Sequence, residues 1–417
     1  MRTSLLATTA GIALSLAAAV QAQTRFTASA PAGADLVSRA LVAPPAGPSL
    51  NNSREPVAFA WALPSDQALT THLRPQPTES REHWLRITGA ELERGVPLLT
   101  TAPGALVRLS PVGAKSAPAL DPAALVLVDP RGQSLARGTG FDLIAPGADL
   151  EAAGLAVPAG TVAVRLSSEL GSGRFTLRLP GLASGQELVL HVFDRASTVV
   201  LSLAADRFSY LDGERLKVRL EAQDGAAPLA LASATGFVTS PAGRSWPLQF
   251  KPGSQGLSAT LALDAREPVV ASGAGAGLWE IQVAASGHGT AGDFLRNART
   301  SFAVALPTAR LAGGASARSG DAGLTLTIPV ETAAPGRYEV RATLFGHDAQ
   351  GASKPIAVAD SAAWLEAGNG KLELLFPAGL LAGSGLAAPY ELRQLELIDQ
   401  GRLAVLHRQD VGGTIQP

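Results

Sequence analysis

Two short stretches of the sequence carry side chains that could bind a ligand or a metal ion. His288 and Asp293 flank a glycine-rich turn, and loops of this kind at the ends of strands often carry binding residues. Asp206, Asp212 and Glu214 surround a second turn and could supply oxygens to a calcium ion, which takes about six to eight of them. Because each set is small, a solvated turn with incidental polar residues is the competing interpretation, and we assign no catalytic, cofactor-binding or metal-binding residue.

The sequence contains no linear motif of a known type of catalysis. It lacks the His-Glu-x-x-His metalloprotease helix, the Gly-x-Ser-x-Gly elbow, a phosphate loop and Ser-x-x-Lys, and cysteine nucleophiles are excluded because the chain has no cysteine. The glycines of Gly273–Gly277 lead into a strand, which indicates a loop rather than a dinucleotide cradle. We therefore expect no cofactor and favour a protein that is not an enzyme. The histidines are far apart in sequence: His72, His83, His191, His288, His347 and His407.

The elements that must position these residues are short strands. Between Phe208 and Phe250, apolar residues such as Leu216 and Val218 alternate with charged residues such as Lys217, which is the period of a strand with one solvated face. Turn pairs punctuate this stretch about every 8 to 12 residues. The pattern predicts an all-β fold made of tandem antiparallel β-sandwiches of the immunoglobulin-like type.

Composition and the N-terminus indicate an exported protein. The 34 basic and 35 acidic residues give a formal net charge of −1, without the basic excess typical of nucleic-acid binders. Residues 1–22 have the pattern of a signal peptide with cleavage after Ala22, and no later apolar run is long enough to span a membrane. We expect a soluble mature protein, periplasmic or extracellular, whose domains are held together by core packing alone.

Stretches rich in glycine and proline suggest the domain boundaries. Gly181–Gly185 and Pro307–Gly314 have the composition of linkers and lack strand alternation. The predicted segments are a signal peptide (1–22), a flexible lead-in (23–50), an N-terminal β-sandwich (51–180), a central immunoglobulin-like domain (185–306), a C-terminal immunoglobulin-like domain (307–408) and a tail (409–417).

Two single residues and two longer stretches lead to further predictions. Trp279 is the largest side chain on the inward face of its strand and should be the central packing residue of the second domain. Pro329 suggests that its strand is an edge strand. Arg81–Ala90 is the one amphipathic helix candidate. Similar strings at 277–288 and 336–347 are best explained by a common strand chemistry, because their positions within the two domains differ.

Five strings of the sequence support a comparison with a known family: Glu82–Leu85, Gly95–Leu98 and Ala102–Pro111 near the beginning, Phe294–Phe302 in the middle, and Leu395–Leu406 near the end. They resemble an uncharacterised family of secreted gammaproteobacterial proteins built from tandem immunoglobulin-like sandwiches. The chain is also similar in style to accessory domains of secreted bacterial proteases, which help with secretion and surface binding. The family has no established reaction, so the resemblance implies a fold but no activity.

Three hypotheses about function follow from the sequence. The leading one is a secreted, non-enzymatic protein that binds a macromolecule or a surface, with a protein, a glycan or a surface ligand as the partner. The second is a hydrolase of peptides or glycans whose carboxylates converge only in three dimensions, because two acids can hydrolyse a glycoside without a linear motif. The third is a structural spacer.

Overall fold

A computed structural model describes residues 24–45, 53–69, 75–113, 120–136, 139–266 and 277–416. The all-β prediction is confirmed: six mostly antiparallel sheets form three sandwiches, each with its own hydrophobic core. No helix within these ranges is long and apolar enough to cross a membrane. The described residues do not include the predicted signal peptide, His72 or the glycine-containing stretch 273–276.

Three short strands precede the first sandwich in the part of the chain that the structure describes. They are β1 (Arg25–Ala28), β2 (Leu36–Val37) and β3 (Val57–Ala62).

The first sandwich packs a five-stranded sheet against a three-stranded one. Its core is centred on Leu98, Leu127 and Phe175, all fully buried. The strand orders are β5-β12-β7-β10-β9 and β6-β11-β8, and β4 joins a sheet of the central sandwich. The elements are β4 (Thr78–Ser80), β5 (Glu82–Thr88), α1 (Gly89–Arg94), β6 (Val96–Thr100), β7 (Leu106–Pro111), β8 (Val126–Val128), β9 (Phe141–Pro146), α2 (Gly147–Ala152), β10 (Val162–Leu166), β11 (Gly173–Arg178) and β12 (Glu187–Phe193), with 3-10 turns at Pro122–Ala124 and Ser168–Leu170.

Two predictions for this sandwich are wrong. The helix predicted over 81–90 is strand β5, and α1 starts only at Gly89, where the Thr88 side chain and Glu91 form a reciprocal capping box. The predicted boundary at Gly181–Gly185 is a loop within the sandwich, because β12 lies between β5 and β7 and buries Leu188 and Leu190 in the first core. The first sandwich therefore ends after Phe193.

The central sandwich packs a six-stranded sheet against a five-stranded one. The orders are β19-β20-β15-β13-β4, with β16 beside β15, and β14-β22-β21-β17-β18. The strands are β13 (Val199–Ala205), β14 (Ser209–Leu211), β15 (Arg215–Asp224), β16 (Ala227–Leu229), β17 (Leu231–Thr239), β18 (Ser245–Pro247), β19 (Lys251–Pro252), β20 (Leu257–Ala262), β21 (Trp279–Gly289) and β22 (Gly292–Ala305).

The core of the central sandwich contains the residues that the sequence pattern places there. Leu216 and Val218 of β15 are fully buried. Trp279 is 4% exposed and stacks on Trp246 at 5.1 Å between ring centroids, with Phe302 at 6.1 Å. The prediction that Trp279 is a core residue is confirmed.

The third sandwich contains the largest sheet. Its strands order as β1-β30-β29-β26-β27-β3, with β2 also beside β30, and β25 of the facing sheet pairs with β23, β24 and β28. The elements are β23 (Ala309–Leu311), β24 (Ser316–Gly320), β25 (Gly323–Thr332), β26 (Gly336–His347), β27 (Ser353–Leu365), β28 (Gly368–Pro377), α3 (Ala378–Ser384), β29 (Ala387–Asp399) and β30 (Ala404–Gln416).

Both ends of the described chain, near residues 24 and 416, belong to this sheet, which corrects three predictions. The described part of the lead-in (24–45) contributes β1 and β2 because Leu36 is buried in the third core, and the Ser38 hydroxyl donates to the Leu406 carbonyl at 2.8 Å. β3, predicted within the first domain, pairs with β27. The predicted tail belongs to β30, where Ile415 is buried.

Pro329 does not mark an edge strand. Strand β25 pairs with β28 on one side and with two short strands on the other. β24 pairs with β25 up to Thr327 and β23 from Val330 onward. Pro329 lies in the gap between those two ladders, where its missing N–H leaves no strand partner unsatisfied.

Candidate functional site

A concave surface lies where the N-terminal segment meets the central sandwich. Two neighbouring cavities of about 540 and 950 Å³ share Asp35, Asp206 and Arg207 in their walls. One wall is formed by residues 31–40 together with β30, and the other by β15 and the turns that precede it. We call this surface the junction cleft. Its cationic lining residues are Arg39, Arg207, Arg215, Lys217, Arg219 and Arg408.

One wall of the cleft carries a row of cations on a single strand. Alternation along β15 buries the apolar residues and turns Arg215, Lys217 and Arg219 to the outer face, where all three are exposed. Their side chains, and that of Arg39 on the opposite wall, form no ion pair with any residue that the structure describes. At about 3.3 Å per residue, neighbouring members of the row are about 7 Å apart along the strand. The row therefore offers evenly spaced positive charges to a ligand.

The three carboxylates considered for calcium are instead bonded to protein groups. Asp206 Oδ1 accepts from the Tyr210 hydroxyl at 2.6 Å and from the Lys217 N–H at 2.9 Å. Asp212 accepts from the Ala265 N–H and the Arg266 guanidinium, and Glu214 from the Leu211 N–H and the Arg207 guanidinium. Burial, and then the bond to Asp206, raise the pKa of Tyr210.

These bonds close the turn before β15, so the carboxylates have a structural role. Across residues 24–45, 53–69, 75–113, 120–136, 139–266 and 277–416, no three His, Cys, Asp or Glu side chains form a group that could hold a metal ion.

The opposite wall is fixed in the same way. Asp35 accepts from the Ala32 N–H at 2.6 Å and from the Asp410 N–H at 3.1 Å, which ties the 31–35 turn to β30. Arg408 pairs with Glu396 at 2.6 Å. The cleft thus has carboxylates that are already bonded by protein donors and a basic row that is not, which favours an anionic ligand.

His288 and Asp293 lie side by side, but no third potential metal-binding side chain joins them among the described residues. They face each other across the hairpin between β21 and β22, with His288 Nδ1 2.9 Å from Asp293 Oδ1, and both side chains are mostly exposed. Nearby, hydrogen bonds from Thr198 and Thr290 lower the pKa of Asp224. The pair is an exposed hairpin contact in this structure.

Sequence reasoning missed a buried polar network between the first and central sandwiches. Arg296 is fully buried, and its Nη2 donates to Thr101 Oγ1 at 2.7 Å, Ser197 Oγ at 3.0 Å and Asp194 Oδ2 at 3.1 Å. Burial lowers the pKa of Arg296, and the charge of Asp194 opposes this effect. One step along β22, Asn297 Oδ1 accepts from the Trp84 N–H at 2.9 Å.

The network explains part of the string Phe294–Phe302 that carries the family resemblance. Arg296 and Asn297 join two sandwiches and are not among the residues that line the junction cleft. A signal was present in the sequence, because Arg296 occupies the same phase of its strand as the buried Phe294 and Ala298.

Two further groups of titratable residues have structural partners. Glu339 and Asp360 both lie beside Arg341 on the outer face of the third sandwich, and burial, followed by the interaction with Asp360, raises the pKa of Glu339. Arg341 donates to Asp360 at 2.5 Å. In the first sandwich, His191 lies 2.7 Å from Glu82, and this hydrogen bond lowers the pKa of Glu82.

Comparisons with known proteins concern the family and the fold. Residues 48–194 match the family model described as the N-terminal domain of a domain of unknown function, DUF4785, and residues 308–413 match its C-terminal domain. A crystal structure of a DUF4785 family protein from Legionella pneumophila aligns with a TM-score of 0.73 at 23% identity, covering 90% of this chain and 98% of that one. The curated proteins contain no match.

Proposed function

Because the chain carries the N-terminal and C-terminal domains of the DUF4785 family, whose function is unknown, we propose its function from its own geometry: an exported, non-enzymatic protein that binds an acidic polysaccharide in the junction cleft. The observation that carries this proposal is the row of Arg215, Lys217 and Arg219, which lines the cleft without ion-pair partners among the described residues. Export is supported by the leader pattern of residues 1–22.

The row favours a polymer over a small anion. A single carboxylate or phosphate could reach one or two of the three cations, whereas a chain with repeated anionic groups could contact all three and Arg39 across the cleft. Each exposed ion pair contributes about 0.2–1 kcal/mol, so binding by the row alone is weak and depends on repetition along the polymer. Such contacts are screened by salt, because the Debye length falls to about 3 Å at 1 M.

A binding titration with defined polymers tests the proposal. We expect the mature protein to bind polygalacturonate and dextran sulfate but not neutral dextran, and to lose binding as salt is raised. Lys217→Glu should weaken binding about threefold to tenfold, since it replaces one attraction by a repulsion. Arg131→Glu is the matched control, because it changes the net charge equally at an exposed turn of the first sandwich.

Four results would contradict the proposal. One is equal binding to neutral dextran, and another is unchanged binding by the Lys217→Glu variant. Binding to DNA as tight as to the polysaccharides would replace the polysaccharide by polyanions in general. Release of reducing ends from the polymer during the titration would favour the hydrolase hypothesis instead.

A further inference from the structure

Strand β3 forms one edge of the seven-stranded sheet and carries an exposed apolar strip. Within the part of the chain that the structure describes, β3 pairs with β27 on one side only. Val57, Phe59 and Trp61 are 42%, 53% and 41% exposed, and the rings of Phe59 and Trp61 stack at 5.5 Å. Edge strands usually carry charges, prolines or bulges that prevent further pairing, and the six residues of β3 contain none of them.

The backbone of β3 has a defined set of unpaired groups on its outer edge. The Leu63 N–H donates to the Ile356 carbonyl at 2.9 Å, so this pair is a hydrogen-bonded pair of the antiparallel ladder. Because hydrogen-bonded and non-hydrogen-bonded pairs alternate, odd-numbered residues of β3 bond to β27 and even-numbered residues point their N–H and C=O outward. The outward set is Ala58, Ala60 and Ala62.

We infer that β3 is a self-association edge, where a second copy of this chain pairs antiparallel about a two-fold axis at Ala60. In that register, Ala60 faces Ala60 of the other copy, and Ala58 faces Ala62. The three pairs form about six backbone hydrogen bonds, and every outward alanine finds a partner. The two sheets become one continuous sheet across an isologous interface.

Proline and the aromatic residues select this register over its neighbours. Shifting the axis by one residue to Phe59 places Ala62 opposite Pro56, and shifting it to Trp61 places Ala58 opposite Pro64. Both shifts lose a hydrogen bond, because a proline has no N–H to donate. With the axis at Ala60, Phe59 faces Trp61 of the other copy on the exposed face. Such aromatic cross-strand pairs stabilise antiparallel sheets. The absence of charge on β3 also means that two copies do not repel each other there.

The contact is small, so the dimer should be weak. One six-residue strand and its aromatic pairs bury less than the roughly 1,200 Å² of a standard interface, which suggests dissociation constants of about micromolar to tens of micromolar. Sedimentation of the full mature protein should therefore show monomer at about 1 µM and dimer at about 100 µM.

Single cysteines test the register, because the chain has none of its own. Under mild oxidation, the Ala60→Cys variant should form a disulfide-linked dimer, since residues in a hydrogen-bonded pair have Cα atoms about 5.5 Å apart. The Ala58→Cys and Ala62→Cys variants should each form no disulfide-linked dimer when oxidised alone but should cross-link when mixed. Equal cross-linking by all three variants alone, or by none, would overturn the inference.

A proline substitution tests the interaction without touching the fold. The Ala60 N–H points away from β27, so Ala60→Pro removes the outward hydrogen bond that this N–H donates to the other copy and leaves the ladder with β27 intact. We expect this variant to be monomeric at about 100 µM with an unchanged thermal midpoint. Phe237→Lys is the control, because Phe237 lies on the central sandwich and is as exposed as Trp61 of β3. This variant should dimerise like wild type. A wild-type protein that stays monomeric at that concentration would refute the proposal.

Discussion

Replacing Asp194 by Asn should destabilise the joint between the first and central sandwiches by about 3–5 kcal/mol, the usual cost of leaving one partner of a buried ion pair uncompensated. Both side chains are essentially inaccessible, with exposures of 0% for Arg296 and 1% for Asp194. The Arg296 guanidinium also donates to two hydroxyls, which cannot balance its charge. An amide at position 194 would keep the shape of the site but leave that charge buried.

A loss of about 3–5 kcal/mol is a large fraction of the free energy of unfolding of a single domain, which is about 5–15 kcal/mol. Asp194 Oδ1 has no hydrogen-bond partner among the described residues, so the native network is itself incompletely satisfied. Replacing both partners by apolar residues, as in Asp194→Leu with Arg296→Met, should therefore cost much less than the single substitution. The double variant separates loss of the charge balance from loss of packing.

Urea unfolding followed by tryptophan fluorescence and circular dichroism provides the assay. Trp84 reports on the first sandwich, Trp246 and Trp279 on the central one, and transitions are fitted separately because three cores need not unfold together. Asp293→Asn, at a mostly exposed ion pair, should cost less than about 1 kcal/mol. An Asp194→Asn variant with the midpoints of wild type would show that the network does not stabilise the joint.

Three further predictions concern the core, pH and the domain boundary. Trp279→Ala should cost about 3–5 kcal/mol in the melt of the central sandwich, because the side chain is buried against Trp246; a midpoint within a degree or two of wild type would contradict this. Burial, and then the charge of Arg296, lower the pKa of His83 from 6.5 to about 3, so the unfolded state gains a proton first and stability falls as pH drops from about 6.5 towards 3. The loss is roughly 2 kcal/mol at pH 5 and should be missing in His83→Phe, and an equal pH dependence of unfolding in both proteins would be the contrary result. The fragment 185–307 should be poorly soluble because it carries β12 without its neighbours, whereas 75–307 should melt cooperatively; a soluble, cooperative 185–307 would restore the boundary at 185.

Local periodicity predicted which residues are buried, because the side-chain alternation of a strand depends on the strand alone. The alternation predicts the inward faces of β15 and β21 correctly, since Leu216 and Trp279 are buried. The same rule places Arg296 inward, but a single charged residue in an apolar phase does not reveal the Asp194 that neutralises it, 102 residues away in the chain.

Strand partners could not be predicted, because pairing between distant strands leaves no local pattern. The linker-like composition of 181–185 belongs to a loop between two strands of one sandwich, and nothing in that loop distinguishes it from a domain boundary. The junction cleft could not be predicted for the same reason. The basic row of β15 is visible in the sequence, but the wall that faces it comes from the distant residues 31–40. The structure therefore adds the neighbours of each element, and with them the candidate site.

The third sandwich is discontinuous in sequence, since β1 and β3 form both edges of its large sheet and β23 to β30 form the remainder. The first and central sandwiches are inserted between these two parts. A fragment of residues 307–417 would lack both edge strands and the buried Leu36, and would expose the apolar face that this residue covers. We expect that fragment to be insoluble or to unfold without a cooperative transition, and to regain one when it is co-expressed with residues 24–69. A cooperative melt of the fragment alone would show that the N-terminal strands are dispensable additions rather than part of the domain.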